Sequence, residues 1–284
     1  TFYSTLIISP LSGSYDNFYF VFKLNERLKI ESFTAQLNSK NDNFLVFNRF
    51  FAGHRISYLS PNKKFIFNFG ELLIYSGVNQ SVDLRYINPV IPYYIVDINQ
   101  KNIEPDNSNS ILFLDFRYVI DYKRSVFLEF LLDDYQIDDT KLDNALGLKL
   151  GLTQKLKFMN KSLNLEAEIN SISEQTYSHH GNYTYFSYNE RPIGYKFGQS
   201  CNSFELNIQY EVNDNFSLIF KDIYLSKNTS NKISYWGAEK NIEVDSIQDH
   251  QSNNFNKQLF SIGLSFRNKN FSVELFYSKI PPIQ

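Results

Sequence analysis

Three residue types are nearly absent from this chain of 284 residues, which has one cysteine, one methionine and one tryptophan. A lone Cys201 excludes an internal disulfide and any metal cluster built on cysteine. Long hydrophobic runs are missing as well. No segment approaches the ~20 apolar residues of a spanning helix, and the mean hydropathy of -0.34 excludes a helical membrane protein. Neither charge dominates: 28 Lys and Arg face 30 Asp and Glu, a net charge of -2. That balance leaves no basic footprint for nucleic acid. No Pro, Gly or Ser-rich linker divides the chain, so it reads as one domain over residues 1–284. Neither a Gly-x-Ser-x-Gly elbow nor a Gly-rich phosphate loop occurs, and no cofactor is expected.

Aromatic residues, by contrast, are abundant, with 27 Phe and 20 Tyr. Along much of the sequence apolar and polar residues alternate. Leu146, Leu148, Leu150 and Leu152 interleave with Gly147, Lys149, Gly151 and Thr153, a period of two that only a β-strand turns into two different faces. The pattern returns in Leu163, Leu165, Ala167 and Ile169, and in Phe204, Leu206, Ile208, Tyr210 and Val212. A soluble sandwich also alternates, so the connections must decide. Thirteen such stretches are joined alternately by short and long connections. Short turns are expected near 25–27, 60–63, 121–124, 159–162, 213–215 and 268–270, and long loops near 9–16, 38–43, 76–110, 135–143, 175–203 and 227–257. Short turns on one side and long loops on the other are the pattern of outer-membrane barrels, whose aromatic girdles also account for the Phe and Tyr content.

The expected fold is therefore all-β, a transmembrane antiparallel β-barrel. The first strand is placed at Phe2 to Ile8 and the last at Phe271 to Lys279, both running outward. Single-chain bacterial barrels have an even strand number, so the chain reads as an interior piece of a larger barrel, incomplete at both termini. The opening residues are neither an initiator methionine nor a signal peptide.

Parity assigns the faces. Leu112, Leu114, Phe116, Tyr118 and Ile120 would meet lipid, as would Val126, Leu128, Phe130 and Leu132, and later Phe260, Ile262, Leu264 and Phe266. Asp115, Arg117, Glu129, Asp133, Lys149, Glu166, Glu168, Glu205, Glu211, Lys221 and Glu274 fall on the lumen side. Energetics agree, because a charge on the lipid face costs ~2 to 4 kcal/mol near the midplane. In 44–58 and 65–75 apolar residues occupy both parities, which predicts bulges or a face covered by other protein.

The segment FAGHRISYLSPNKKFIFNFGELLIYSGVNQSVDLRYINPVIPYYIV, Phe51 to Val96, resembles the Wzi-type capsule-assembly proteins of Gram-negative outer membranes. The matching positions are His54 and Arg55, Glu71, Tyr75 and Gly77, then Tyr86, Asn88 and Pro89. NSILFLDFRYVI with its central Asp115, FLEFLLDDYQID with Glu129, Asp133 and Asp134, and the Tyr-rich loop carrying Gly194 and Gly198 follow in the same order. The resemblance covers about Phe44 to Leu206. It implies an eighteen-stranded barrel with an occluded pore, acting in the bacterial outer membrane as a surface lectin that retains or organises capsular or extracellular polysaccharide. Partners would be that polysaccharide, outer-membrane lipid and other components of polysaccharide export.

Sugars offer apolar C–H faces to aromatic rings and hydroxyls to amides, carboxylates and guanidinium groups. Long loops supply that mixture at Tyr183, Tyr185, Tyr188, Asn189 and Arg191, at Tyr235 and Trp236, and at Asp83, Arg85 and Tyr86. The plainer alternative is that these tyrosines plug the barrel or belong to its girdle. His54, Arg55 and Glu71 are expected in a polar lumen network with Asp115, Arg117, Glu129, Asp133, Glu166 and Glu168. His179 and His180 are adjacent and so point oppositely on a strand, and no metal site is expected. A non-enzymatic polysaccharide anchor is the leading reading. A porin or specific transporter for small polar or cationic solutes is the first alternative. An outer-membrane hydrolase, which would need Ser, His and an acid together on adjacent strands at the lipid face, is the second.

Overall fold

The computed structural model describes residues 6–42, 44–100, 108–134, 144–178, 182–229, 253–267 and 272–279. Most of the alternating stretches become strands. The first elements are β1 (Asn17–Lys23), β2 (Leu28–Gln36), the short β3 (Lys40–Asp42), β4 (Leu45–Leu59) and β5 (Phe65–Val78). A 3-10 turn at Leu84–Ile87 and helix α1 (Tyr93–Gln100) precede β6 (Ser108–Asp121), β7 (Arg124–Asp134), β8 (Ala145–Phe158) and β9 (Lys161–Ile172). After the small hairpin of β10 (Ser187–Tyr188) and β11 (Arg191–Pro192) come β12 (Cys201–Glu211), β13 (Phe216–Thr229), β14 (Asn253–Arg267) and β15 (Ser272–Lys279). Twelve long strands pair antiparallel with their sequence neighbours and β3 adds to β4, giving one thirteen-stranded sheet.

The total equals the expected one, but its membership differs. Leu6 to Ile8, expected within a first strand, belong to no strand of the sheet; they are buried in an apolar cluster on one of its faces. Three consecutive apolar residues satisfy a core as well as a strand, and their neighbours decide.

Each short turn is closed by local chemistry. The side-chain oxygens of Asn25, Asn62 and Asn213 accept backbone N–H groups two residues on, and Asp121 does the same for Lys123. These Asx turns reverse the chain in a few residues. Met159 and Asn160 both take positive φ, 48° and 60°, the conformation whose twist matches a two-residue hairpin. The expected turn at 268–270 lies outside the described residues.

Unbroken registers keep the two faces distinct across most of the sheet. One face is bare and apolar: Phe67, Phe69, Leu148, Leu150, Leu152, Ile169, Phe204, Ile262 and Leu264 are all exposed there. The opposite face carries most of the buried charges and is the lumen side. Asp222 is an exception on the apolar face, where both carboxylate oxygens accept from the Gln258 amide at 3.2 and 3.3 Å.

β4 and β5 are covered on both faces over residues 49–55 and 70–77, where both parities are buried. No bulge interrupts their pairing; the register shifts lie at Val119/Asp121 and Leu132/Asp134. On the lumen side Phe51, Leu72 and Ile74 pack with Leu6, Tyr177, Phe186, Ile193 and Tyr195. On the outer side Phe50, Ala52, Leu73 and Tyr75 pack under Tyr86 and Tyr93.

Candidate functional site

The lumen cover is a plug made by the loop between β9 and β12. Arg49, fully buried on the lumen side of β4, holds it by donating from Nε to the Tyr183 carbonyl at 2.7 Å and from Nη2 to the Tyr185 carbonyl at 2.5 Å. At the loop's start the Tyr177 N–H donates to the Asp133 carboxylate, and its hydroxyl donates to the Leu6 carbonyl at 2.7 Å. Leu6 N–H in turn donates to Glu129 at 3.0 Å. At its end the Tyr195 hydroxyl reaches Ser203 at 2.6 Å and Glu205 at 2.8 Å, while Lys196 pairs with Glu205. Burial pushes the Tyr177 and Tyr195 phenols far above their ordinary value, so both stay neutral hydrogen-bond donors. Gly194 lets the loop close on itself, since a Cβ there would lie 2.3 Å from the Tyr177 ring.

The plug sorts the expected sugar residues. Tyr183 stacks on Phe47 with centroids 4.3 Å apart and planes 4° from parallel, and Tyr188 meets Tyr15 edge to face at 5.1 Å. Those rings are half-buried parts of the plug's outer layer. Asn189 and Glu190, with φ of 46° and 62°, form the tip of the β10–β11 hairpin, and Arg191 follows. All three are exposed. Glu190 was not singled out by the sequence reading; its place beside Arg191 at a hairpin tip was the available signal. Tyr235, Trp236, His179 and His180 lie outside the described residues.

Asp83, Arg85 and Tyr86 stand elsewhere. They belong to the cover on the outer face, against β2 and β4, and not to the plug. Tyr86 is 2% exposed and has no free face for a sugar, which corrects its assignment. Asp83 binds the Arg85 guanidinium at 2.5 Å and accepts from the Arg85 N–H at 2.9 Å. Burial works against the Asp83 carboxylate, but these Arg85 bonds outweigh it and hold the group below its ordinary value.

Below the plug runs the lumen network. Arg55 donates to Glu31 at 2.7 Å, Asn68 donates to Asp115 at 2.9 Å, and Lys149 pairs with Glu168 at 2.6 Å. The Phe127 ring lies between Arg117 and Lys149, whose charges stand 5.5 and 5.2 Å from its centroid. Toward the short turns a cavity of about 950 Å³ is lined by Lys23, Arg27, Arg55, Asp115, Arg117 and Glu129. A second, of about 370 Å³, shares Arg117 and reaches Lys155, Asn164, Glu166 and Gln209. Charged, amide and hydroxyl groups there suit polar solutes or sugars.

His54 and Glu71 do not join that network. Neighbours on a strand point to opposite faces, so Arg55 enters the lumen while His54 turns outward. There it pairs in register with Glu71, with Nε2 3.4 Å from the carboxylate. Glu71 also accepts the Tyr93 N–H at 2.5 Å, and the Tyr93 ring lies 4.3 Å from the imidazole. Ser32 stands opposite His54 on β2, which brings Ser, His and an acid onto three adjacent strands of the outer face. The Ser32 side is closed, however: it is wholly buried, so no ester can reach it. Among the described residues no cluster of three or more His, Cys, Asp or Glu is placed to hold a metal ion.

No protein-family model matches the chain, and no curated protein matches it in sequence. A solved structure does match in fold: Wzi of Escherichia coli, described as an outer membrane protein involved in group 1 capsule assembly and as a carbohydrate-binding β-barrel. The TM-score is 0.59 at 14% identity, over 90% of this chain and 53% of that one. This chain thus spans about half the length of the structure it matches. Its thirteen-stranded antiparallel sheet has the fold of part of the Wzi outer-membrane β-barrel.

Proposed function

We propose that this chain is one unit of an outer-membrane barrel that retains or organises capsular or extracellular polysaccharide at the bacterial surface, without catalysis. The observation that carries this reading is the plug. The loop between β9 and β12 is fastened at its start, middle and end by Asp133, Arg49 and Glu205, yet it lifts Asn189, Glu190 and Arg191 into solvent. A fastened loop with an exposed polar tip suits recognition at the surface better than flow through the barrel. Asn189 and Arg191 would bond sugar hydroxyls, with the half-buried rings of Tyr183, Tyr185 and Tyr188 beside them. The fold shared with a carbohydrate-binding barrel adds support. Membrane lipid would surround the wall, and other export components would meet the barrel's ends.

A transporter for small polar or cationic solutes is the second reading, favoured by the cavities lined with charged and amide groups at the short-turn end. Planar-bilayer conductance of the full-length protein, with and without capsular polysaccharide from the same cells, separates the two. Silence together with polysaccharide pull-down is expected of the anchor. A large steady conductance overturns it in favour of the transporter.

A further inference from the structure

The outer face has one place where apolar wall gives way to charge. Glu71 is in register with Leu112, Leu112 with Leu132, and Leu132 with Leu146. The row that holds His54 and Glu71 thus continues, on the Glu71 side, into three leucines of the apolar face. Depth agrees with register. A strand tilted by ~40° climbs about 2.5 Å per residue, and the apolar band of such barrels is about 25 Å tall. A band starting at the exposed Phe65 therefore reaches the neighbourhood of Tyr75. Phe65, Phe67 and Phe69 are bare, whereas Glu71, Leu73 and Tyr75 are buried beneath the segment 82–96.

That segment is itself apolar outward. Tyr86 and Tyr93 face the wall, the Tyr93 hydroxyl donating to the Tyr86 carbonyl at 3.1 Å. On the other side Leu84, Val90, Ile91, Tyr94 and Ile95 are exposed. Its charges, Asp83 and Arg85, neutralise each other.

We propose that residues 82–96 form a strap whose exposed apolar side meets the acyl chains of the outer leaflet, in place of the wall strands that it covers. The strap continues the lipid-facing surface of Phe67 and Phe69 upward and keeps the His54–Glu71 pair out of hydrocarbon. This assigns the loop after β5 to the membrane and not to polysaccharide. The proposal rests on the outer-membrane reading given above.

Single-tryptophan quenching tests it. In the full-length protein with Trp236→Phe, and with any tryptophan outside this chain also replaced, tryptophan is placed by Leu84→Trp or Tyr94→Trp. Phe69→Trp serves as the wall control and Tyr122→Trp as the short-turn control. Each variant is reconstituted in phosphatidylcholine vesicles with or without brominated acyl chains. Strap positions quenched to within about two-fold of Phe69→Trp are expected, since both would lie among acyl chains. Quenching of Phe69→Trp with strap signals at the level of Tyr122→Trp overturns the strap and leaves the barrel intact. An unquenched Phe69→Trp overturns the membrane reading itself. Agreement between the Leu84 and Tyr94 variants guards against a local disturbance by either one.

Discussion

The Arg49 guanidinium donates to the Tyr183 carbonyl at 2.7 Å across 134 positions of sequence. It is the middle of three points where the wall grips the plug, and the same side chain also reaches Tyr185. Arg49→Met keeps the bulk and removes both bonds, leaving carbonyls whose missing partners cost about 1–3 kcal/mol each where they are shielded from water. Loss of thermal stability and the appearance of intermittent conductance in bilayers are expected. An Arg49→Met protein as silent and as stable as the parent would show that the plug holds without this grip.

At the lumen wall, Lys149 and Glu168 pair at 2.6 Å, both nearly buried. Lys149→Met leaves a buried carboxylate uncompensated, at a cost of about 3–5 kcal/mol. The double variant Lys149→Met with Glu168→Leu is expected to recover most of that loss. Urea unfolding followed by heat-modified gel migration measures both, and a double variant no better than the single would locate the effect elsewhere.

Gly151 faces the Phe127 ring, and a Cβ there would lie 2.2 Å from the ring's tip. Gly151→Ala must therefore push Phe127 out of its place between Arg117 and Lys149. Overpacking of this kind costs about 1–3 kcal/mol. Combining it with Phe127→Leu, which shortens the opposing side chain, should restore part of the loss in the same unfolding assay.

For recognition, Arg191→Ala and Asn189→Ala should each reduce polysaccharide captured in pull-down while leaving heat-modified migration unchanged, because both side chains are exposed. Tyr86→Phe should leave capture unchanged, since Tyr86 is buried against the wall. Equal capture by all three variants would move the site to other loops.

Acid should act on the strap through Asp83. Its carboxyl is held below the ordinary value of 3.8 by Arg85, so the stability it adds is complete above pH 3.8 and disappears as pH falls through the lower folded value. Tryptophan emission from the Leu84→Trp variant should stay flat down to that point and then change, and Asp83→Asn should remove the change. A transition centred above pH 3.8 would implicate another group.

By itself the sequence determined the class of fold. A period of two cannot hide its faces, and Leu148, Leu150 and Leu152 stand bare on one side while Lys149 lies on the other, as their alternation requires. Turn chemistry was legible for the same reason: Asn25, Asn62 and Asn213 act within three residues of themselves. Tertiary structure decided what covers each face. Leu6 to Ile8, expected in a strand, pack against the plug instead, because burial beside Tyr177 and Ile193 satisfies them as fully as pairing would. His54 and Glu71, whose residue types suit a lumen, sit by parity on the outer wall, where the segment 82–96 closes over them. Such long-range covers depend on where a loop lands, and periodicity carries no record of that.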